Sequence, residues 1–435
     1  MIVRIDDVLQ HQPPGLRGSH LDTPRPGFVS DVYGFHLSGW ALAHASEVER
    51  IEIVHENRPI AALALTAKRP DVAARLETAD PESEIGFETT IGALDLPTTF
   101  EFTVQSVVGG GGAEPLATVR GVRKPLSSSR PPALQPVMIT CFGRTGTTWL
   151  TWLLECHPEI VAFDPFVRET RVATYWMTVL QQLAAPQSYL AQLDPVNPLV
   201  SRWWLGEGDG SERRLGPEVE RWLGVDRAQL LAGHCQAQID RFYLDNTRGG
   251  PQARYFVEKF SPLQTIPDLL DEVYAGAREV ILVRDFRDQF CSIRAYVAKR
   301  NPDGFQWARA GSEAEYVRTT LRDFAAALLR RWRSRRATAH LLHYEDLVRE
   351  PTETLTALAR HLGVDSTPRT IQETLQAACA DVPGNRGHLT APDPTSSVGR
   401  WRGALSREVE EAFADSLAPM LEAFGYDPGP AGERA

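Results

Sequence analysis

The chain has 435 residues, 43% of them hydrophobic, and a formal net charge of −10. The length exceeds the usual size of one domain and predicts two folding units with real cores, which excludes fibrous and disordered classes. The acidic balance excludes a phosphate-backbone footprint over a whole face, so no nucleic-acid partner is expected and any anion site must be local.

The start, MIVRIDDVLQHQPPG, carries Arg4, Asp6 and Asp7 where a signal peptide needs uninterrupted apolar residues. No later apolar run is long enough to span a bilayer, so no integral membrane segment is expected. Cys141, Cys156, Cys235, Cys291 and Cys379 are widely spaced, without zinc-type pairing. Reduced, buried thiols in a cytoplasmic protein without metal are the expectation.

Residues 1–26 read as an N-terminal extension. Across 27–125, the runs FHLSGWAL, VERIEIVHE, PIAALAL, IGFETTIG, TFEFTVQSVV and PLATVRGV alternate with period two between turn residues, the pattern of a small all-β sandwich domain. Gly109 to Gly112 read as a hairpin turn, because no helix pattern follows them. GWAL (Gly39 to Leu42), RPDVA (Arg69 to Ala73) and GF (Gly86, Phe87) resemble a β-sandwich module found beside bacterial glycosyltransferases. That likeness names no ligand, and Trp40 reads as a core residue ahead of a sugar platform.

Residues 126–136, with a serine run and a double proline, form a linker. From 137 to 435, apolar strand-like runs alternate with helical patterns, which predicts an α/β domain with a parallel sheet and flanking helices. VMITCFGRTGTTWL reads as a buried strand (Val137 to Phe142), a loop with Gly143 and Gly146, and a helix from about Thr147 to Cys156. Glycine N–H groups, a helix N-terminus and the Thr147 and Thr148 hydroxyls make a phosphate cradle. The rival is an ordinary turn between strand and helix. Thr147 stands where a Walker A loop needs lysine, so the NTP-binding lysine is missing.

VILVRDFRDQFCSIR reads as a strand ending at Arg284, a turn, and a helix carrying Ser292. An arginine fork and a hydroxyl suit a dianion; singly, they also suit a surface salt bridge and an ordinary helix serine. Two anion sites in one domain fit a nucleotide with phosphates at both ends. The run Arg330 to Arg336 falls late in a helical pattern and reads as a solvated face.

These motifs together resemble the sulfotransferase family. Arg144-Thr145-Gly146-Thr147-Thr148-Trp149 is similar to its 5'-phosphosulfate loop, with arginine first as in tyrosylprotein and many bacterial sulfotransferases. Arg284 and Ser292 resemble its 3'-phosphate signature, HLLHYEDLVREP (His340 to Pro351) its YEDL turn, and TSSVGRWRGAL (Thr395 to Leu405) its C-terminal closing loop. The resemblance spans about 137–425 and implies a P-loop-like parallel sheet, with 3'-phosphoadenosine 5'-phosphosulfate as co-substrate and no metal.

The resemblance further implies that Arg144, Thr145, Gly146, Thr147 and Thr148 hold the 5' phosphosulfate and that Trp149 stacks on adenine. It puts Arg284 and Ser292 on the 3' phosphate and Tyr344 at the adenine edge, with Glu345 and Asp346 as structural caps. Ser397, Gly399, Arg400 and Trp401 close over the nucleotide, Arg400 on the 3' phosphate. YFVEKFSPL resembles the bacterial Glu-Lys-Thr-Pro segment and offers Lys259 as a second cation. The aryl-type members' histidine is replaced by Phe260, so the base must come from elsewhere. VRETRVATYW resembles the Glu-Thr-Arg stretch that supplies a catalytic glutamate, which points to Glu169, either as base or as a capping or salt-bridged residue. His234 and Asp164 are rival bases, while His157 reads as finishing its helix.

Tyr175 to Gly250, rich in Trp203, Trp204, Arg213, Arg214 and Trp222, is expected to form the acceptor side and lid. The expected reaction is sulfuryl transfer to a hydroxyl of a small-molecule, glycan or lipid acceptor, and a homodimer is allowed for. The alternatives are a P-loop kinase or NTPase using ATP and magnesium, and a non-catalytic nucleotide- or glycan-binding protein.

Overall fold

The computed structural model describes the chain apart from residues 45–46, 57, 77–79, 81, 110–111, 164–168, 185–224, 248–249, 300–303, 379–389, 391–392 and 429–435. The rest groups into two compact units, 1–131 with 174–237 and 132–173 with 238–435.

The first unit holds two antiparallel sheets. One has the order β3-β1-β10-β9-β5-β6 and the other β2-β4-β8-β7. In chain order the strands are β1 (Val3–Gln10), β2 (Leu16–Thr23), β3 (Val29–Ser30), β4 (Gly34–Ala43), β5 (Val48–His55), β6 (Arg58–Leu63), β7 (Ala67–Lys68), β8 (Glu84–Gly92), β9 (Thr99–Val108) and β10 (Gly112–Arg123). The expected extension of residues 1–26 supplies β1 and β2, which pair with β10 and β4. Val3 and Ile5 are buried while Arg4 and Asp6 face solvent, so the charges near the start are the outer half of a period-two strand. Phe35 of β4 stacks on Phe100 and Phe102 of β9, with ring centroids 6.2 and 6.0 Å apart, and fills the core between the sheets. Gly112 of β10 lies opposite Val108 of β9, and Gly110 and Gly111 of the expected hairpin turn lie outside the described residues. Trp40 is only partly buried, its ring lying over Gly18.

The second unit is an α/β layer structure. Its strands are β11 (Gln135–Thr140), β12 (Ile160–Val161), β13 (Tyr255–Phe260), β14 (Arg278–Val283) and β15 (His340–His343). They run parallel in the order β12-β13-β11-β14-β15. Helices cover both faces, which is why β11 and β14 read as continuous apolar runs. Ile281 and Val283 face a core with Phe286, Phe290 and Phe413, and Val280 and Leu282 face one with Leu150, Leu154 and Leu358. From central β11 the chain passes to β12 and β13 on one side, then crosses to β14 and β15 on the other. The carboxyl ends of β11, β13 and β14 therefore meet at a topological switch point, where open α/β sheets place ligands.

The arginine run corrects the expectation of a solvated face in part: Arg333 and Arg336 are exposed, but Arg331 and Arg335 turn inward. Arg331 reaches Asp268 at 2.5 Å and Glu279 at 2.9 Å, and Arg335 reaches Glu279 at 3.2 Å and Asp271 at 2.9 Å. Glu279 sits inside the sheet, 3% exposed, and needs counter-ions that helix periodicity does not reveal. Among the described residues, no helix is long and apolar enough to cross a membrane and no cluster could hold a metal ion.

Candidate active site

After β11 the chain turns into the helix Thr147–Glu155, capped by Gly146 in the left-handed region at φ 93°. A Cβ there would stand 2.5 Å from the Tyr344 ring, so only glycine fits. No side chain caps this helix, which leaves its first N–H groups directed at the loop. Arg144 is also left-handed, at φ 68°, a conformation that costs a non-glycine residue about 1–2 kcal/mol. One tie within the loop and one from outside hold it against that cost. Thr145 Oγ1 donates to the Phe142 carbonyl at 2.9 Å, and Gln289 Nε2 donates to the Gly143 carbonyl at 2.8 Å.

A cavity of about 410 Å³ opens beside the loop, lined by Arg144, Thr147, Thr148, Glu169 and Lys259, with Tyr296 and Phe305 on its wall. Lys259, at the end of β13, donates to Thr148 Oγ1 and to Glu169 Oε1, each at 3.3 Å. Three separate stretches of sequence are thus brought to one place. The Glu169 segment is held from behind by buried Glu258, which accepts from the Ala173 N–H at 2.7 Å, Tyr243 Oη at 2.7 Å and Thr170 Oγ1 at 3.3 Å. Cys141 also lines the cavity, but burial pushes its thiol up to about 12, so it is no nucleophile at neutral pH.

The second cationic group adjoins the first. Arg284, 4% exposed just past β14, donates to the carbonyls of Arg144 at 3.3 Å and Ser397 at 2.7 Å and lies over the Tyr344 ring at 4.5 Å. Arg400 donates to the Thr390 carbonyl at 3.0 Å. Among the described residues, the buried Nε of Arg284 and that of Arg400 have no partner, and neither guanidinium has a carboxylate within ion-pair distance. Ser292 Oγ joins the groups, 3.3 Å from Arg144 Nε and 2.9 Å from Thr390 Oγ1. Burial, reinforced by Arg284 and Arg400, pushes Arg144 down to about 10, and burial and Arg284 lower Arg400 as well. Clustered, buried guanidiniums are the electrostatic counterpart of a polyanion.

The remaining sequence-derived residues are placed as follows. The hydroxyl of Thr145 is turned into its own loop. Trp149 meets Tyr344 edge-on at 6.1 Å, and Tyr344 Oη pairs with Ser397 Oγ at 3.0 Å. Trp401 lies beneath the Arg287 guanidinium at 3.8 Å, fastening its loop to the helix Phe286–Lys299. Glu345 accepts from the Asp285 N–H and Tyr426 Oη, a structural role. Of the rival bases, His234 belongs to the first unit, where it packs edge-on to Trp176, and Asp164 lies outside the described residues. His157 meets the Asp365 carbonyl at 2.9 Å, a tie at the end of its helix. Trp203, Trp204, Arg213, Arg214 and Trp222 lie outside the described residues, as does Cys379. Sequence reasoning missed Glu258, Asp288, Gln289 and Tyr296; the signal for Asp288 and Gln289 was polar residues in the first turn of the helix between Arg284 and Ser292.

A family model described as "Sulfotransferase family" matches residues 136–368, just over half of the chain. No curated protein matches. Among solved structures, the chain is similar to the sulfotransferase domain from the curacin biosynthetic pathway, at 19% identity over 69% of this chain and 99% of that one, TM-score 0.39. It is similar to the sulfotransferase domain of the Synechococcus PCC 7002 olefin synthase, at 19% identity over 70% and 99%, TM-score 0.39. It also resembles mouse sulfotransferase SULT7A1 complexed with PAP, at 12% identity over 66% and 85%, TM-score 0.39.

Proposed function

The chain belongs to the sulfotransferase family, and from that premise we propose that it transfers a sulfuryl group from 3'-phosphoadenosine 5'-phosphosulfate to an acceptor hydroxyl by in-line displacement. One observation carries the reading. At the switch point an uncapped helix N-terminus and the Arg144, Arg284 and Arg400 guanidiniums converge, and the buried Nε atoms of Arg284 and Arg400 lack partners among the described residues. A ligand with anionic groups at both ends of one adenosine answers both halves of that arrangement. Arg284, Arg400 and Ser292 would hold the 3' phosphate, and the 144–148 loop the 5' phosphosulfate.

Sulfuryl transfer, like phosphoryl transfer, is catalysed by positioning and by charge around the transferring group. Arg144 and Lys259 would stabilise charge on the bridging and equatorial oxygens. Even pushed down to about 10, Arg144 stays protonated at neutral pH, so it supplies charge and not a proton. Glu169, in the same cavity and 3.3 Å from Lys259 Nζ, is our base for the acceptor proton. An unchanged rate in Glu169→Gln would remove it from that role. We also assign residues 27–125 an accessory role and 137–435 the transferase domain.

Thermal shift tests the donor. Adenosine 3',5'-bisphosphate without metal should stabilise the protein by about 2.7 kcal/mol at a hundredfold over Kd, and ATP with magnesium should not. Stabilisation by ATP and magnesium alone would hand the site to a kinase chemistry.

A further inference from the structure

Asp288 opens the helix Phe286–Lys299, 1% exposed, four residues past Arg284 and four before Ser292. A carboxylate so close to a phosphate site opposes an anion, so its presence requires a reason. Its Oδ2 accepts the Gly399 N–H at 2.5 Å and its Oδ1 the Trp401 N–H at 3.0 Å. The carboxylate thus grips the N–H groups of the residues before and after Arg400, and the Asp288 carbonyl accepts from Arg400 Nη2 at 3.4 Å. Gly399 is left-handed, at φ 75°, which lets the two N–H groups turn toward one carboxylate. Burial pushes the Asp288 carboxyl up, and the two N–H bonds work against that push. A second tie fastens the same segment: Arg287, paired with Asp285 at 2.8 Å, lies over the Trp401 ring.

We propose that Asp288 is a positioning residue, a latch that holds residues 399–401 so that Arg400 completes the 3'-phosphate site before nucleotide arrives. This rests on the donor reading above. Arg400 then reaches the Thr390 carbonyl, and the Thr390 hydroxyl meets Ser292, so the latch sets the geometry of the whole 3' end.

Calorimetric binding of adenosine 3',5'-bisphosphate to the full chain and to Asp288→Asn separates latch from charge. Removing a negative charge beside a dianion would by itself tighten binding, whereas losing the latch weakens it. We expect Kd to rise about 10- to 100-fold, with the affinity for adenosine 5'-monophosphate, which lacks the 3' phosphate, changed by less than about twofold. In an Arg400→Ala background the Asp288→Asn loss should vanish. Equal or tighter bisphosphate binding, or an equal loss for the monophosphate, overturns the latch. Amide exchange of the wild-type protein decides the matter even if Asp288→Asn folds poorly: Gly399 and Trp401 N–H must be protected without nucleotide, and free exchange there overturns the proposal. A wild-type chain that binds no bisphosphate sinks the donor reading and the latch together, whereas wild-type binding with an unaltered variant sinks the latch alone.

Discussion

The two ends of β14 handle buried charge in opposite ways. Near its start, Glu279 is 3% exposed and receives Thr140 Oγ1 at 2.6 Å, Arg331 Nε at 2.9 Å and Arg335 Nε at 3.2 Å. Burial pulls its carboxyl up, but the two arginines outweigh it and hold it below the usual range. Just past its other end, Arg284 is 4% exposed and has no carboxylate partner among the described residues. Equal burial therefore takes two forms: the first cluster is neutralised by carboxylates of the chain, and Arg284 has main-chain carbonyls where an ion-pair partner would stand among the described residues.

The largest expected effect falls on the closed end. Glu279→Ala takes from Arg331 and Arg335 the carboxylate they share, leaving each a single partner in Asp268 or Asp271, and should cost up to about 3–5 kcal/mol in denaturant unfolding, with bisphosphate affinity of the folded protein unchanged. A parallel loss of affinity would show that the two ends are not separate. At the open end Arg284→Met should do the reverse. It removes a buried charge without an ion-pair partner among the described residues but also the donor to the Arg144 and Ser397 carbonyls, so the ligand-free protein should lose no more than about 1–3 kcal/mol while bisphosphate binding weakens at least tenfold. A larger loss of stability with unchanged bisphosphate binding would make Arg284 a structural residue.

The smallest effect extends the comparison to the first unit. Burial pushes Asp95 up to about 6, against the opposing pull of Arg58 and Arg123. Its folded pKa lies above its unfolded one, so its contribution to stability is fully present below the unfolded value and lost as pH rises through about 6. Asp95→Asn should therefore stabilise by about 1–3 kcal/mol at pH 8 and be neutral at pH 4, as read by melting at both. An equal gain at both would show that the charge is not the cause.

What could be read in advance was local. The strand, glycine turn and helix around Gly146 follow from one contiguous segment, as do Arg284 and Ser292 on one strand and one helix. β1 is hard to read in advance because Arg4 and Asp6 look like charges near a terminus, although they are the outer half of an alternation that keeps Val3 and Ile5 inside. The partners of Arg331 are Asp268 and Glu279 on other elements, beyond the i and i+4 neighbours that a helical pattern offers. Asp288 acts on N–H groups more than a hundred residues later, a pairing that only the folded chain creates. Glu258 is not legible because its partners, the Ala173 N–H, Thr170 and Tyr243, come from other stretches of the chain.

The ring of Tyr344 touches four things at once: the Cα side of Gly146, the Arg284 guanidinium, the edge of Trp149 and, through its hydroxyl, Ser397. Sharing one rigid plane couples the 144–148 loop to the Arg284 and Ser397 side. A ligand contact that displaces the ring at one of these groups would change the affinity for a second ligand at the other by the same factor, and the reverse holds as well.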